Sequence, residues 1–188
     1  MKRLFFVAAT FCFLTTQAQF GFKGGVNISN LHGSDVSDAK SLAGFYLGAY
    51  YNIGINDNFS VQTEAVYSAE GAKESGTDAK LHLNYINLSA LFRYNVPGGF
   101  FVGTGPQLGL LTTAKVKSGG TSVDVKDQFK SSNFSWAVAA GYDFPMGLGF
   151  YARYNIGLAK IAKDDPTPDV KSGCFQFGLR YNLKMNKK

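Results

Sequence analysis

Eight segments of this chain alternate apolar and polar residues, and the connections between them alternate short and long. Few folds satisfy both patterns at once. The segment Asn133 to Phe144 shows the first: Phe134, Trp136, Val138, Ala140, Tyr142 and Phe144 occupy its even positions, and small or polar residues occupy its odd ones. A strand sends successive side chains to opposite faces, so this period puts the apolar set on one face. The other face carries Asp143. An aromatic, fully apolar face opposite a polar one is the pattern of a strand between lipid and a polar lumen.

The same period predicts strands over Phe20 to Ile28, Ala43 to Ile53, Phe59 to Ser68, Tyr85 to Tyr94, Phe100 to Leu110, Leu148 to Leu158 and Gly173 to Leu183. Phe22, Val26, Phe45, Leu47, Val61, Tyr67, Leu88, Phe92, Leu108, Phe150, Phe177 and Leu179 belong to the apolar face. Lys23, Asn27, Tyr46, Tyr50, Gln62, Glu64, Asn87, Ser89, Arg93, Gln107, Arg153, Gln176 and Arg180 belong to the other. Pro106 lacks a ladder donor, so a bulge or local break is expected near Gly105-Pro106.

Gly54 to Asn58, Val96 to Gly99 and Pro145 to Gly147 have the composition of tight turns. Longer polar connections are expected at Asn30 to Leu42, Ala69 to Asn84, Leu111 to Ser132 and Ala159 to Ser172. Phe20, Tyr51, Phe59, Tyr94, Phe100, Phe144, Phe150 and Tyr181 lie towards the short-turn ends, and Phe45, Tyr67 and Phe134 towards the opposite rim. Aromatic belts of this kind sit at membrane–water interfaces. The fold expected is all-β: an eight-stranded antiparallel up-and-down transmembrane β-barrel of OmpA/OmpX-like architecture, short turns in the periplasm and long loops outside.

The first 18 residues read as a secretory signal peptide. Lys2 and Arg3 precede the apolar run Leu4 to Leu14, and Thr16-Gln17-Ala18 offers a small-x-small cleavage site. The run is well short of the roughly 20 residues of a spanning helix. Residues 19–188 would then form one barrel domain. Cleavage removes Cys12 and leaves Cys174 without a partner, so disulfides cannot hold the exported chain. Of 19 basic residues, loss of Lys2 and Arg3 leaves 17 against 13 acidic, lowering the net charge from +6 to +4. This excess is small, dispersed and exported, which argues against nucleic acid as a partner.

The inward-facing ionisable residues are Lys23, Glu64, Arg93, Asp143, Arg153 and Arg180. Counted from the short turns, Lys23, Arg93, Asp143 and Arg180 lie low, and Glu64 and Arg153 lie nearer mid-height. Such a set either lines a selective lumen or pairs into a hydrogen-bonded plug. Eight strands enclose a space that side chains nearly fill, which favours the plug. Four cations against two carboxylates leave room for lumen water or an anion.

No catalytic, cofactor or metal constellation emerges. His32 and His82 lie near Ser34, Asp35 and Asp78 only as members of polar loops, without spacing that defines a triad. Nor do the histidines or Cys174 have metal-ligand spacing. Asp164 to Asp169 lacks the alternating oxygen ligands of a calcium loop and reads as a proline-stiffened loop. Gly119-Gly120 reads as a flexible loop tip.

Several segments resemble the PorT-type outer-membrane β-barrel family common in Bacteroidetes-type bacteria. They are Gly21 to Ser29, Glu64 to Ser68, Leu83 to Leu88, Gly103 to Gln107 and Gly178 to Tyr181. The resemblance spans nearly all of the chain after residue 18 and implies an outer-membrane barrel. Similar proteins often carry Glu-Ile-Pro where this chain has Asn87-Leu88-Ser89, so an inward carboxylate and a proline are missing here. A secretion role known for one member is not carried over.

The expectation is therefore a non-enzymatic, monomeric barrel in outer-membrane lipid. Its lumen is mostly filled, and its role is structural or surface-interacting through four outer loops. The alternatives are a narrow anion-favouring channel for small solutes and a soluble periplasmic lipocalin-like binding barrel with the opposite facing.

Overall fold

The computed structural model of the chain describes residues 19–32, 39–74, 79–160 and 171–183. The expected signal peptide and the Asp164 to Asp169 segment lie outside the described residues, as do Ser34, Asp35 and Asp78. The strands are β1 (Gln19–His32), β2 (Ala39–Gly54), β3 (Phe59–Glu74), β4 (Lys80–Asn95), β5 (Phe100–Ser118), β6 (Thr121–Asp124), β7 (Ser132–Asp143), β8 (Leu148–Gly157) and β9 (Lys171–Leu183).

Each long strand pairs antiparallel with its neighbours in chain order, β5 pairs with β7, and β9 returns to β1. Eight strands thus close into a barrel. Closure leaves the ring without a free edge and satisfies its backbone within the sheet, the condition for crossing lipid. β6 stands outside the ring and pairs only with the far end of β5, Lys115–Ser118 against Thr121–Asp124.

Facing follows the predicted parity. Val138, Phe150, Phe177 and Leu47 are 49%, 51%, 46% and 63% exposed, while Tyr46, Tyr50, Glu64 and Arg153 are buried inside. The outer surface is apolar and the interior polar, which is the reverse of a water-soluble barrel. The lipocalin-like alternative, with aromatics inward, is overturned by this facing. Cross-strand rings pack along the outer face: Phe59 lies 5.0 Å from Tyr94 and Tyr154 lies 4.3 Å from Phe175. Pairs of this kind stabilise neighbouring strands beyond their area burial.

The long connections are shorter than the sequence pattern predicts. β2, β3, β4 and β5 run to 16, 16, 16 and 19 residues, whereas β7, β8 and β9 have 12, 10 and 13. About 9–11 residues suffice to cross a bilayer, so β2–β5 stand above the apolar belt as a one-sided wall. The expected loop Ala69 to Asn84 is mostly strand, and most of Leu111 to Ser132 is strand, the β5–β6 hairpin and a short 3-10 turn at Lys126–Gln128. Gly119 and Gly120, expected as a flexible tip, form the two-residue hairpin turn at φ 55° and 86°. A turn with positive φ at both central positions matches strand twist and selects glycine.

At Pro106 the local break expected from the sequence is present. The β4–β5 register is the same on both sides of it, Ser89↔Gln107 and Phe92↔Thr104, with pairing interrupted between. The ladder breaks locally without a bulge, because Pro106 points outward and still aligns with Trp136 of β7. A register shift does occur higher up, where Asn84 pairs with Thr113 and Tyr85 with Leu111. That extra residue turns both Leu111 and Ala114 inward.

Candidate functional site

All six inward ionisable residues predicted from the sequence lie in the lumen, and the strand parity that exposes the apolar set is what buries them. They form two groups around two carboxylates. Glu64, whose side chain is fully buried, accepts from Lys23 Nζ at 2.9 Å and pairs with Arg153 through its other oxygen. Ser89 donates to it at 2.9 Å and Gln62 at 2.5 Å. Arg153 also donates to Gln107 at 2.6 Å and to Asn155 at 2.7 Å.

Asp143 holds the second group. It pairs with Arg93, and Arg180 Nε lies 3.2 Å from its other oxygen. Arg180 Nε also donates to the Tyr50 hydroxyl at 3.2 Å, and Tyr50 in turn donates to Asn182 at 2.6 Å. The Arg93 guanidinium lies 3.6 Å over the Phe101 ring. Gln62 joins the groups: its amide nitrogen donates to Glu64, and its oxygen accepts from Arg93 at 3.1 Å.

Two expectations are corrected here. Lys23 starts low but belongs to the mid-height group, because its long stem carries the ammonium to Glu64 and over the Tyr151 ring at 4.2 Å. The interior also holds a third carboxylate, Glu70, in a stretch expected as loop; Asn87 donates to it at 3.2 Å. Asn87 and Ser89 thus bond carboxylates supplied by β3. Sequence facing had placed Gln62, Ser89 and Gln107 inward, but it could not pair them across strands.

Between the two groups space is nearly gone. The void among Lys23, Tyr50, Glu64, Phe101, Tyr151 and Arg180 measures about 10 Å³, at most the room of one water. Tyr46 crosses the lumen to meet Tyr151, with ring centroids 6.2 Å apart. It fits because Gly25 and Gly178 face each other on β1 and β9, and a Cβ on Gly25 would lie 2.9 Å from its hydroxyl. At the short-turn end a recess of about 480 Å³ stops at Arg93 and Asp143. Towards the long-connection end, Leu83, Tyr85, Leu111 and Ala114 form an apolar layer against Val125 and Phe129. That layer was not expected from sequence, where these residues fell in or beside a loop. Among the described residues no group of His, Cys, Asp and Glu is arranged to hold a metal.

A closed barrel with a lipid-facing apolar wall and an ion-paired interior defines a small outer-membrane β-barrel. The chain belongs to the family described as outer membrane protein beta-barrel domain, whose model matches residues 14–163. It is an outer-membrane protein by that membership. Solved structures of the same fold include Neisserial surface protein A, with 21% identity, a TM-score of 0.57, and coverage of 88% of this chain and 99% of that one. The attachment invasion locus protein Ail of Yersinia pestis is 22% identical, with a TM-score of 0.53 and coverage of 89% and 100%. OprG of Pseudomonas aeruginosa is 14% identical, with a TM-score of 0.51 and coverage of 88% and 96%. At these identities the likeness shows the fold alone. No curated protein matches the chain in sequence.

Proposed function

We propose that this protein is a monomeric, non-enzymatic and non-conducting barrel that presents a structured outer surface from a rigid, plugged base. The observation that carries this reading is the interior void of about 10 Å³ between two ion-paired groups joined through Gln62. Hydrated ions need a continuous water path, and the paired side chains that fill this level leave none. The β2–β5 wall and the β5–β6 hairpin are the parts offered to a partner. Within the family, the segments Gly21 to Ser29, Glu64 to Ser68, Leu83 to Leu88, Gly103 to Gln107 and Gly178 to Tyr181 favour the PorT-type branch. Residues 1–18 act as the cleaved leader, so the exported chain starts at Gln19, the first residue of β1. The short turns face the periplasm, as in barrels of this kind.

Planar-bilayer recording tests the reading. The refolded protein is expected to insert without stable conductance steps. Steady unitary currents that disappear in Arg153→Ala would replace the plug with an anion-favouring channel.

A further inference from the structure

The wall formed by β2–β5 carries a row of lysines in direct register. Lys40 lies opposite Lys73, Lys73 opposite Lys80, and Lys80 opposite Lys117. One step lower, His82 lies opposite Lys115. Directly opposed like charges on neighbouring strands are destabilising, so three consecutive Lys–Lys pairs do not serve the sheet. Among the described residues none of these lysines is in an ion pair. The one carboxylate in register with them is Asp124, opposite Lys115.

Their facing decides what they can meet. The inward set on β4 is odd-numbered, Leu83, Tyr85, Asn87 and Ser89, so Lys80 and His82 point outward. Paired residues share a face, so the whole row points sideways, away from the lumen. Below it on β4 the topmost exposed apolar residue is Ile86. At about 3.3 Å per residue and a tilt of about 45°, His82 stands roughly 9 Å and Lys80 roughly 14 Å above it. Lysine stems span the difference by bending towards the interface. Between row and belt lies a recess of about 510 Å³ lined by His82, Asn84, Thr113, Lys115, Lys117 and Ser122.

We propose that this outer wall binds the phosphorylated headgroups of lipids in the surrounding leaflet, with Lys73, Lys80, Lys115 and Lys117 as the phosphate-binding cations. The row continues the lipid-facing surface upward and looks along the membrane plane, where headgroups are and where a solute in the lumen is not. Phosphate charge would remove the repulsion that the bare row suffers.

The test compares wild type with Lys73→Gln/Lys80→Gln/Lys117→Gln in phosphatidylcholine vesicles that contain spin-labelled phosphatidic acid or spin-labelled phosphatidylcholine. Electron spin resonance then reads the motionally restricted fraction of each label. Wild type is expected to select phosphatidic acid, and that selectivity falls about fivefold for each lysine removed. Folding of the variant is checked by its heat-modifiable gel mobility. If the triple variant does not fold, Lys80→Gln alone should still show about one fivefold step. Equal association of both labels with wild type, or selectivity unchanged in the folded variants, overturns the proposal. So does calorimetric binding of inorganic tripolyphosphate to wild type in phosphatidylcholine vesicles without any selectivity for phosphatidic acid, which would make the ligand a soluble polyanion.

Discussion

Glu64 shows how one residue organises the interior. Its side chain has no exposure, yet it pairs with both Lys23 and Arg153. Buried ion pairs repay little more than their desolvation, but removing one partner strands the others. Glu64→Ala should therefore cost about 3–5 kcal/mol, read as a shift in the urea unfolding curve of the protein in lipid vesicles. Replacing the whole group with Lys23→Met, Glu64→Leu and Arg153→Met should lose far less, since no uncompensated charge remains. A Glu64→Ala variant as stable as wild type would show that the pairs do not hold the interior. These six residues were legible in the sequence because parity alone sends them inward. Their pairing was not, because it depends on how far each strand is staggered against the next. Lys23 makes the point: its height along β1 suggested the lower group, and its reach put it in the upper one.

Parity carries most of the information at the scale of the strand, and it carries it only within the apolar belt. Val138 lies near the middle of β7 and is 49% exposed on the outer face. Val138→Arg should destabilise the folded barrel by about 2–4 kcal/mol in vesicles, while Val138→Leu should be nearly neutral. Unfolding curves that coincide for wild type and Val138→Arg would mean that this face does not meet lipid. Above the belt the apolar set moves to the inner face, with Lys80, His82 and Asn84 outward and Leu83 and Tyr85 inward, so the alternation no longer has the facing of a lipid-exposed strand. That is why Lys80 to Asn84 and Leu111 to Ser118 read as loop and are strand. The apolar layer of Leu83, Tyr85, Leu111 and Ala114 was hidden for the same reason, together with the register shift that resets parity at Thr112. Pro106 gave a true signal of a broken ladder, but an outward position let the strand keep its register.

For the whole molecule, the chain inverts the usual arrangement, with apolar side chains outside and ion pairs within. Backbone hydrogen bonding around a closed ring holds such an arrangement together without a disulfide; Cys174 is buried and unpaired in the described structure. The compartment and the fold were legible in the alternation of strands and connections. The one-sided height of β2–β5 was not, since it rests on where pairing stops rather than on composition. The sole tryptophan of the chain, Trp136, offers the most direct test of the inversion. It sits on the outer face, 40% exposed, with its indole N–H donating to Thr104 at 2.7 Å. In vesicles of lipids brominated along the acyl chain, its fluorescence should be strongly quenched, and aqueous acrylamide should have little effect. Strong quenching by acrylamide with none from the brominated lipids would contradict the account.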